Sequence, residues 1–98
     1  MKKITEQEAI DILHKRGHPS TQTYRLAAKQ TKELHSHPYD ADAILISGQF
    51  IVMTSDQEYK LGPGDEIQLP AGTMHSEEVG NTDVVLVAAT PDLTMTED

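Results

Sequence analysis

Three histidines have residue types and spacing that suit metal chemistry: His35, His37 and His75. Side chains two residues apart on a β-strand point to the same side of a sheet, so His35 and His37 can converge on one point. A histidine from another strand, His75, would complete a three-sided set of nitrogen donors. The pattern therefore predicts a metal site.

Composition excludes several other kinds of function. The chain has 98 residues, a formal net charge of -8 and no cysteine. We expect one domain spanning residues 1–98, since this length supports a single core. The acidic balance argues against nucleic acid as a partner. The lack of thiols excludes a thiolate zinc site. We find no apolar run long enough for a membrane helix and no signal-peptide pattern, so we expect a cytoplasmic protein without a membrane partner.

The sequence predicts a short helix followed by many short strands. Thr5 and Glu8 have the spacing of a capping box, and Gly17 suits a helix end, which predicts a helix over 5–17. From about 21 to 90, short apolar segments alternate with turn residues, which indicates a sandwich or barrel. The polar stretch 92–98 is expected to be frayed. His14 on the helix and His18 in the exit loop are not expected to bind metal.

Two spaced motifs give a resemblance to a known family. Gly64, Pro70, Gly72 and His75 follow the pattern G-x5-P-x-G-x2-H, and the pair His35 and His37 precedes them as H-x-H. The chain thus resembles a small single-domain cupin. The resemblance implies an all-β jelly-roll barrel with, here, a short N-terminal helix. It also implies a divalent transition metal (iron, manganese, nickel, zinc or copper) held by histidines, with a small-molecule ligand or substrate.

The chain departs from the family pattern at the metal-binding glutamate. Counting from His37 places the slot at Asp42, whereas counting back from Gly48 places it at Ala41. We therefore take His35, His37, His75 and Asp42 as the candidate metal ligands. Two alternatives stay open for Asp42: three histidines with water at the remaining positions, or a surface aspartate. The opening glycine of the first motif is replaced by Lys29.

Two further charged residues are candidates for supporting roles. Glu77 follows His75 by two residues and points with it, so it is either a partner of the site and a carrier of protons or a surface residue. Arg25 is either a partner for a substrate carboxylate or a solvated strand residue.

The sequence leaves two functional classes open. The first is a metal-dependent enzyme, for which the resemblance allows dioxygenase, isomerase or decarboxylase chemistry. The second is a non-catalytic module that binds or senses a small ligand or a metal. No catalytic acid–base pair is recognisable from the sequence. Few large aromatic residues are available for the core, and we expect a homodimer that buries apolar strand surface.

Overall fold

The computed structural model describes residues 3–91 and contains a short helix followed by eight strands. The elements are α1 (Glu6–Lys15), β1 (Thr21–Leu26), β2 (Thr31–His35), β3 (Ala41–Ser47), β4 (Phe50–Met53), β5 (Glu58–Leu61), β6 (Glu66–Leu69), β7 (His75–Val79) and β8 (Val84–Ala89). The predicted frayed tail, 92–98, lies outside the described residues.

The strands form two antiparallel sheets that face each other as a jelly roll. One sheet has the order β1-β8-β3-β6 and is called the helix sheet here, because α1 packs on it. The other has the order β2-β7-β4-β5 and is called the histidine sheet, because it carries His35 and His75. The prediction of an all-β jelly roll with a short N-terminal helix is confirmed.

The main core lies between the two sheets and follows the alternation of each strand. Its buried residues are Leu45, Phe50, Val52, Ile67, Leu69, Val79, Val84 and Leu86. A second, smaller core lies on the outer face of the helix sheet, where Ala9 and Leu13 of α1 pack against Ile44 and Val87. The central strands of the helix sheet, β3 and β8, are therefore buried on both faces.

Helix α1 begins and ends as its sequence predicts. Thr5 accepts a hydrogen bond from the backbone N–H of Glu8, and the Glu8 side chain accepts one from the N–H of Thr5. Gly17 follows the helix with φ of +94°, which a glycine adopts without steric cost. None of the helices within residues 3–91 has the length and apolarity that a membrane crossing requires.

Alternate residues of strand β3 belong to different cores. Leu45 belongs to the core between the sheets, whereas Ile44 belongs to the core under α1. Because side chains alternate along a strand, Asp42 lies on the same face as Ile44 and points toward the helix side of the sheet.

Candidate metal centre

The three predicted histidines come together at one end of the space between the sheets. One nitrogen from each of His35, His37 and His75 lies within 4.8 Å of the others. The ring centroids are 4.3 Å apart for His35 and His75, 5.1 Å for His35 and His37, and 5.3 Å for His37 and His75. His75 is 3% exposed, and the other two are partly buried.

Neighbouring strands place two of these rings side by side. His35, the last residue of β2, is the direct cross-strand partner of His75, the first residue of β7. Directly opposed residues on adjacent strands project to the same face of a sheet, so both rings point between the sheets. The register of β2 and β7 shifts between Lys32 and His35, which marks an irregularity in β2 just before the site.

His37 lies beyond the end of β2, and a turn from another part of the chain fixes its position. The backbone N–H of Gly72 donates to the carbonyl of His37 at 2.8 Å, and the N–H of Ala71 donates to Asp40 Oδ1 at 2.8 Å. Gly72 has φ of +83°, where a side chain would be strained. The ring of Tyr39 stacks on His37 with centroids 5.1 Å apart. The convergence predicted from a strand is therefore correct, but a loop produces it.

Backbone carbonyls orient two of the imidazoles. His35 Nδ1 lies 2.7 Å from the carbonyl oxygen of Glu33, and His75 Nδ1 lies 2.9 Å from that of Thr73. A carbonyl oxygen only accepts, so each Nδ1 carries a hydrogen, and in the neutral ring each Nε2 presents its lone pair. Histidines that bind metals are commonly held this way, with the second ring nitrogen bonded to a carbonyl or carboxylate.

The electrostatics of the cluster favour a neutral ring at His37. Burial lowers the pKa of His37 below its ordinary value, and the neighbouring rings of His35 and His75 lower it further, against the opposing effect of Glu77. A neutral imidazole is the form that binds metal. The residues therefore fit a divalent transition metal: imidazole nitrogens suit zinc, copper, iron and nickel, whereas magnesium and calcium prefer oxygen.

Asp42, the fourth candidate ligand, is not brought into this group. Its Oδ1 accepts hydrogen bonds from Arg16 Nη1 at 2.9 Å and Gln68 Nε2 at 3.0 Å, and its Oδ2 lies 3.1 Å from His18 Nε2. The physical reason is parity, since Asp42 shares the helix-facing side of β3 with Ile44. The structure thus corrects the placement of this carboxylate: it holds the end of α1 to the sheet.

Arg16 completes that second cluster. Partial burial works to lower the pKa of Arg16, but the hydrogen bonds to Glu66 and Asp42 outweigh it and raise the pKa above the ordinary value. His18, which the sequence does not single out for a role, is half-buried beside Asp42. The cluster joins the helix exit to β3 and β6 through five polar side chains: Arg16, His18, Asp42, Glu66 and Gln68.

Glu77, rather than the predicted Asp42, is the carboxylate that lies beside the imidazoles. Its Oε2 lies 3.5 Å from His35 Nε2 and 3.4 Å from His75 Nε2, and its side chain is 17% exposed. The alternative of a surface position for Glu77 is therefore wrong. The available signal was its spacing of two residues from His75 on one strand.

A cavity of about 180 Å³ opens next to His37, His75 and Glu77. Its walls are largely apolar and come from both sheets, and they include Phe50, Val52, Ile67, Leu69, Leu86, Tyr24 and Tyr39. Lys32 also lines it and is the one lysine or arginine among the described residues that does. The sequence does not predict that Lys32 lines the cavity, because the irregularity in β2 interrupts the two-residue alternation of side chains between Lys32 and His35.

The remaining charged candidates lie elsewhere. Arg25 is exposed and is not part of the cavity wall, so the structure supports the interpretation as a solvated strand residue. His14 is exposed on α1.

Comparison with known proteins identifies the domain type. The family model for the Cupin domain matches residues 22–89. A search of curated proteins finds no match. Among solved structures, a cupin-2 domain-containing protein from Shewanella frigidimarina is similar with a TM-score of 0.64 and 18% identity, over 74% of this chain and 69% of the other.

Two further solved structures are similar in fold. A conserved protein of unknown function from Streptococcus pyogenes has a TM-score of 0.60 and 27% identity, over 74% of this chain and 64% of that one. The DMSP lyase DddQ from Ruegeria pomeroyi has a TM-score of 0.65 and 22% identity, over 78% of this chain and 40% of the lyase. The chain spans less than two thirds of these two proteins, and the likeness establishes the fold.

Proposed function

The chain belongs to the cupin family, and from that premise we propose that it binds one divalent transition metal ion and acts on a small molecule beside it. His35, His37 and His75 would hold the ion. The observation that carries the proposal is the convergence of three imidazole nitrogens within 4.8 Å, two of them oriented by backbone carbonyls.

Three protein nitrogens leave positions of the ion free for a ligand. Divalent transition metals take four to six donors, so a molecule in the adjoining cavity has room to bind the ion directly. When bound, the ion supplies Lewis acidity to a coordinated oxygen or, if it is redox-active, the activation of oxygen. This open arrangement supports an enzyme over a closed structural metal site.

The cavity restricts the size and polarity of the small molecule. A cavity of roughly 150 Å³ lined by aliphatic and aromatic residues holds one benzene ring, so about 180 Å³ suits a molecule with one ring or a short chain. The apolar walls favour a mainly apolar body and exclude water from the reacting atoms. Lys32 would attract a carboxylate or enolate oxygen on the same molecule.

The reaction classes that the family resemblance suggests all remain candidates: dioxygenase, isomerase and decarboxylase. One cationic side chain in a cavity with largely apolar walls suits a small oxygen-bearing substrate of any of these classes. The alternative function is a non-catalytic module that binds a small ligand or metal.

Metal analysis of protein purified without chelators is the first test. We expect about one equivalent of a divalent transition metal in the wild type and none in His37→Ala. His14→Ala is the matched control, because His14 is an exposed histidine away from the cluster. Full metal content in His37→Ala would contradict the proposal.

A screen with the metal-loaded protein separates the enzyme from the binding module. Oxygen uptake and product formation would be followed across small thiols, diketones and carboxylic acids. Turnover that is lost in His37→Ala supports the enzyme, whereas saturable binding without turnover supports the binding module. Lys32→Gln should weaken binding of acids more than of neutral analogues, and Lys60→Gln, at an exposed lysine on β5, is the control.

A further inference from the structure

Glu77 stands in an unusual electrostatic position within the histidine cluster. Its Oε2 is 3.4 Å from His75 Nε2 and 3.5 Å from His35 Nε2. In the neutral form of each ring both of those nitrogens present lone pairs, because the Nδ1 atoms donate to backbone carbonyls. Two imidazole nitrogens and a carboxylate oxygen then face one another, so a cation between them, either a proton on one ring or a metal ion, is favoured.

Among the described residues, no lysine or arginine side chain supplies that cation. Among residues 3–91, Glu77 forms ion pairs within 4.0 Å only with His35 and His75. Lys32 is its cross-strand partner on β2, yet no ion pair joins the two side chains. The carboxylate is thus mostly buried, with 17% of its side chain exposed, and without a lysine or arginine partner.

The separations match donors that share one metal ion. Two donors, each about 2.1 Å from a common ion, lie roughly 3.0 Å apart in octahedral and 3.4 Å apart in tetrahedral geometry. The distances of 3.4 and 3.5 Å from Glu77 to the two nitrogens are close to the second value.

We propose that Glu77 is the carboxylate ligand of the metal centre, in place of a carboxylate from the segment after His37. The inference rests on the proposed function, since it needs the three histidines to bind a metal. It assigns the anionic donor to β7, two residues after His75, and leaves Asp42 as a partner of Arg16 and His18. The site is then formed by three nitrogens and one carboxylate, and a five- or six-coordinate ion would keep one or two positions for the small molecule.

Cobalt(II) is the probe for the test, because its visible absorption reports directly on the donor set. Wild type, Glu77→Gln, Glu77→Asp and Glu78→Gln would each be titrated, with the dissociation constant measured by competition with a chelating dye. Glu78 is the matched control: it is the next glutamate along the chain, exposed, and of opposite strand parity.

Removing a direct ligand should change both affinity and spectrum. We expect Glu77→Gln to weaken cobalt binding by about 100-fold, at or beyond the upper end of the loss seen when only a supporting partner is removed. The visible bands should also shift. Glu77→Asp keeps the charge, but its side chain is shorter. Its affinity for cobalt should therefore lie between those of the wild type and Glu77→Gln, and its visible bands should also shift. Glu78→Gln should bind within about twofold of the wild type.

Two results would overturn the assignment. The first is an unchanged cobalt affinity in Glu77→Gln. The second is a weaker affinity with unchanged visible bands in both Glu77 variants, because that pattern means that the carboxylate acts on the ion without binding it. Circular dichroism of the metal-free proteins checks folding, and Glu77→Asp carries the test if Glu77→Gln does not fold. Failure of the wild type to bind cobalt would remove the proposed function as well. Binding by the wild type with no effect at Glu77 removes this inference alone.

Discussion

Two buried or mostly buried carboxylates, Asp42 on β3 and Glu77 on β7, lie on different sheets and have opposite surroundings. Asp42 accepts hydrogen bonds from Arg16 and Gln68 and lies 3.1 Å from His18 Nε2. Glu77 Oε2 lies 3.4 Å from His75 Nε2 and 3.5 Å from His35 Nε2. Among the residues that the structure describes, Asp42 has an arginine partner, whereas Glu77 forms ion pairs with two imidazoles alone.

The two carboxylates belong to clusters of similar residue types that differ in their cationic partners. Each cluster has a histidine within 3.5 Å of a carboxylate. Only the Asp42 cluster includes an arginine, whose guanidinium pairs with both Asp42 and Glu66. We infer that the Asp42 cluster holds α1 on the helix sheet and that the Glu77 cluster binds a ligand from solution.

The largest expected effect is the loss of metal binding in His75→Ala. Removal of a nitrogen donor should weaken the binding of zinc by more than about 100-fold, since even the loss of a supporting partner costs 10- to 100-fold. His18→Ala removes the histidine of the other cluster and should leave the affinity within about twofold. Isothermal titration measures both, and equal losses in the two variants would erase the distinction between the clusters.

The second effect concerns stability. Asp42→Ala removes a buried acceptor from Arg16, His18 and Gln68, and we expect the free energy of unfolding to fall by about 2 to 3 kcal/mol. This is below the cost of breaking a fully buried ion pair, because the Arg16 and His18 side chains are 34% and 30% exposed and regain water.

Glu77→Gln is the stability counterpart of Asp42→Ala. It should change the free energy of unfolding of the metal-free protein by less than about 1 kcal/mol, because within residues 3–91 no arginine or lysine pairs with Glu77. Urea denaturation of both variants measures the difference. The comparison fails if Glu77→Gln is the more destabilised protein or if Asp42→Ala loses metal affinity.

A third effect is the pH dependence of the histidine cluster. Imidazoles must be neutral to bind metal, so the affinity should fall by about tenfold or more between about pH 7.5 and about pH 5.5. Competition with a chelating dye at both pH values measures this. A pH-independent affinity would count against histidine ligation.

His37 has its own signature in the metal-free protein. Its pKa is lower in the folded than in the unfolded state, because of burial and the neighbouring rings. The unfolded chain therefore binds the proton more tightly, and stability is lost as the pH falls below about 6.5 toward the pKa of the folded state. His37→Gln should flatten this part of the stability profile, whereas His14→Gln should leave it as in the wild type.

The smallest effect comes from two matched glycines. Gly72 in the turn that holds His37 and Gly17 at the end of α1 both have positive φ, and a Cβ at either would meet nothing within 4 Å. Each change to alanine should cost about 1 kcal/mol of backbone strain. Only Gly72→Ala should also lower metal affinity, by a few-fold. Equal metal affinities for the two variants would show that the turn does not position the site.

The sequence predicted the parts of this molecule that local spacing controls. The capping box at Thr5 and Glu8 is present, and the motif glycines Gly64 and Gly72 have positive φ, which glycine adopts without steric cost. Lys29, which replaces a motif glycine, also adopts positive φ, at 65°. The backbone therefore keeps the shape of the family motif where the residue type has changed.

The parts that the sequence could not predict depend on which face each strand presents. Counting along the chain placed Asp42 near a ligand slot, but only the register of β3 against β6 and β8 fixes the side to which it points. The partners Arg16 and His18 are distant in sequence and share no motif with it. The predicted homodimer stays a prediction, which light scattering would check.

The most direct test of the metal centre is a nuclear magnetic resonance titration with zinc that follows the ring nitrogens of all five histidines. The account predicts that Nε2 of His35 and His75 and one nitrogen of His37 shift together and saturate near one equivalent, while His14 and His18 do not move. It also predicts that Nδ1 of His35 and His75 keep their hydrogens. Shifts at His18, or none at the three clustered rings, would contradict it.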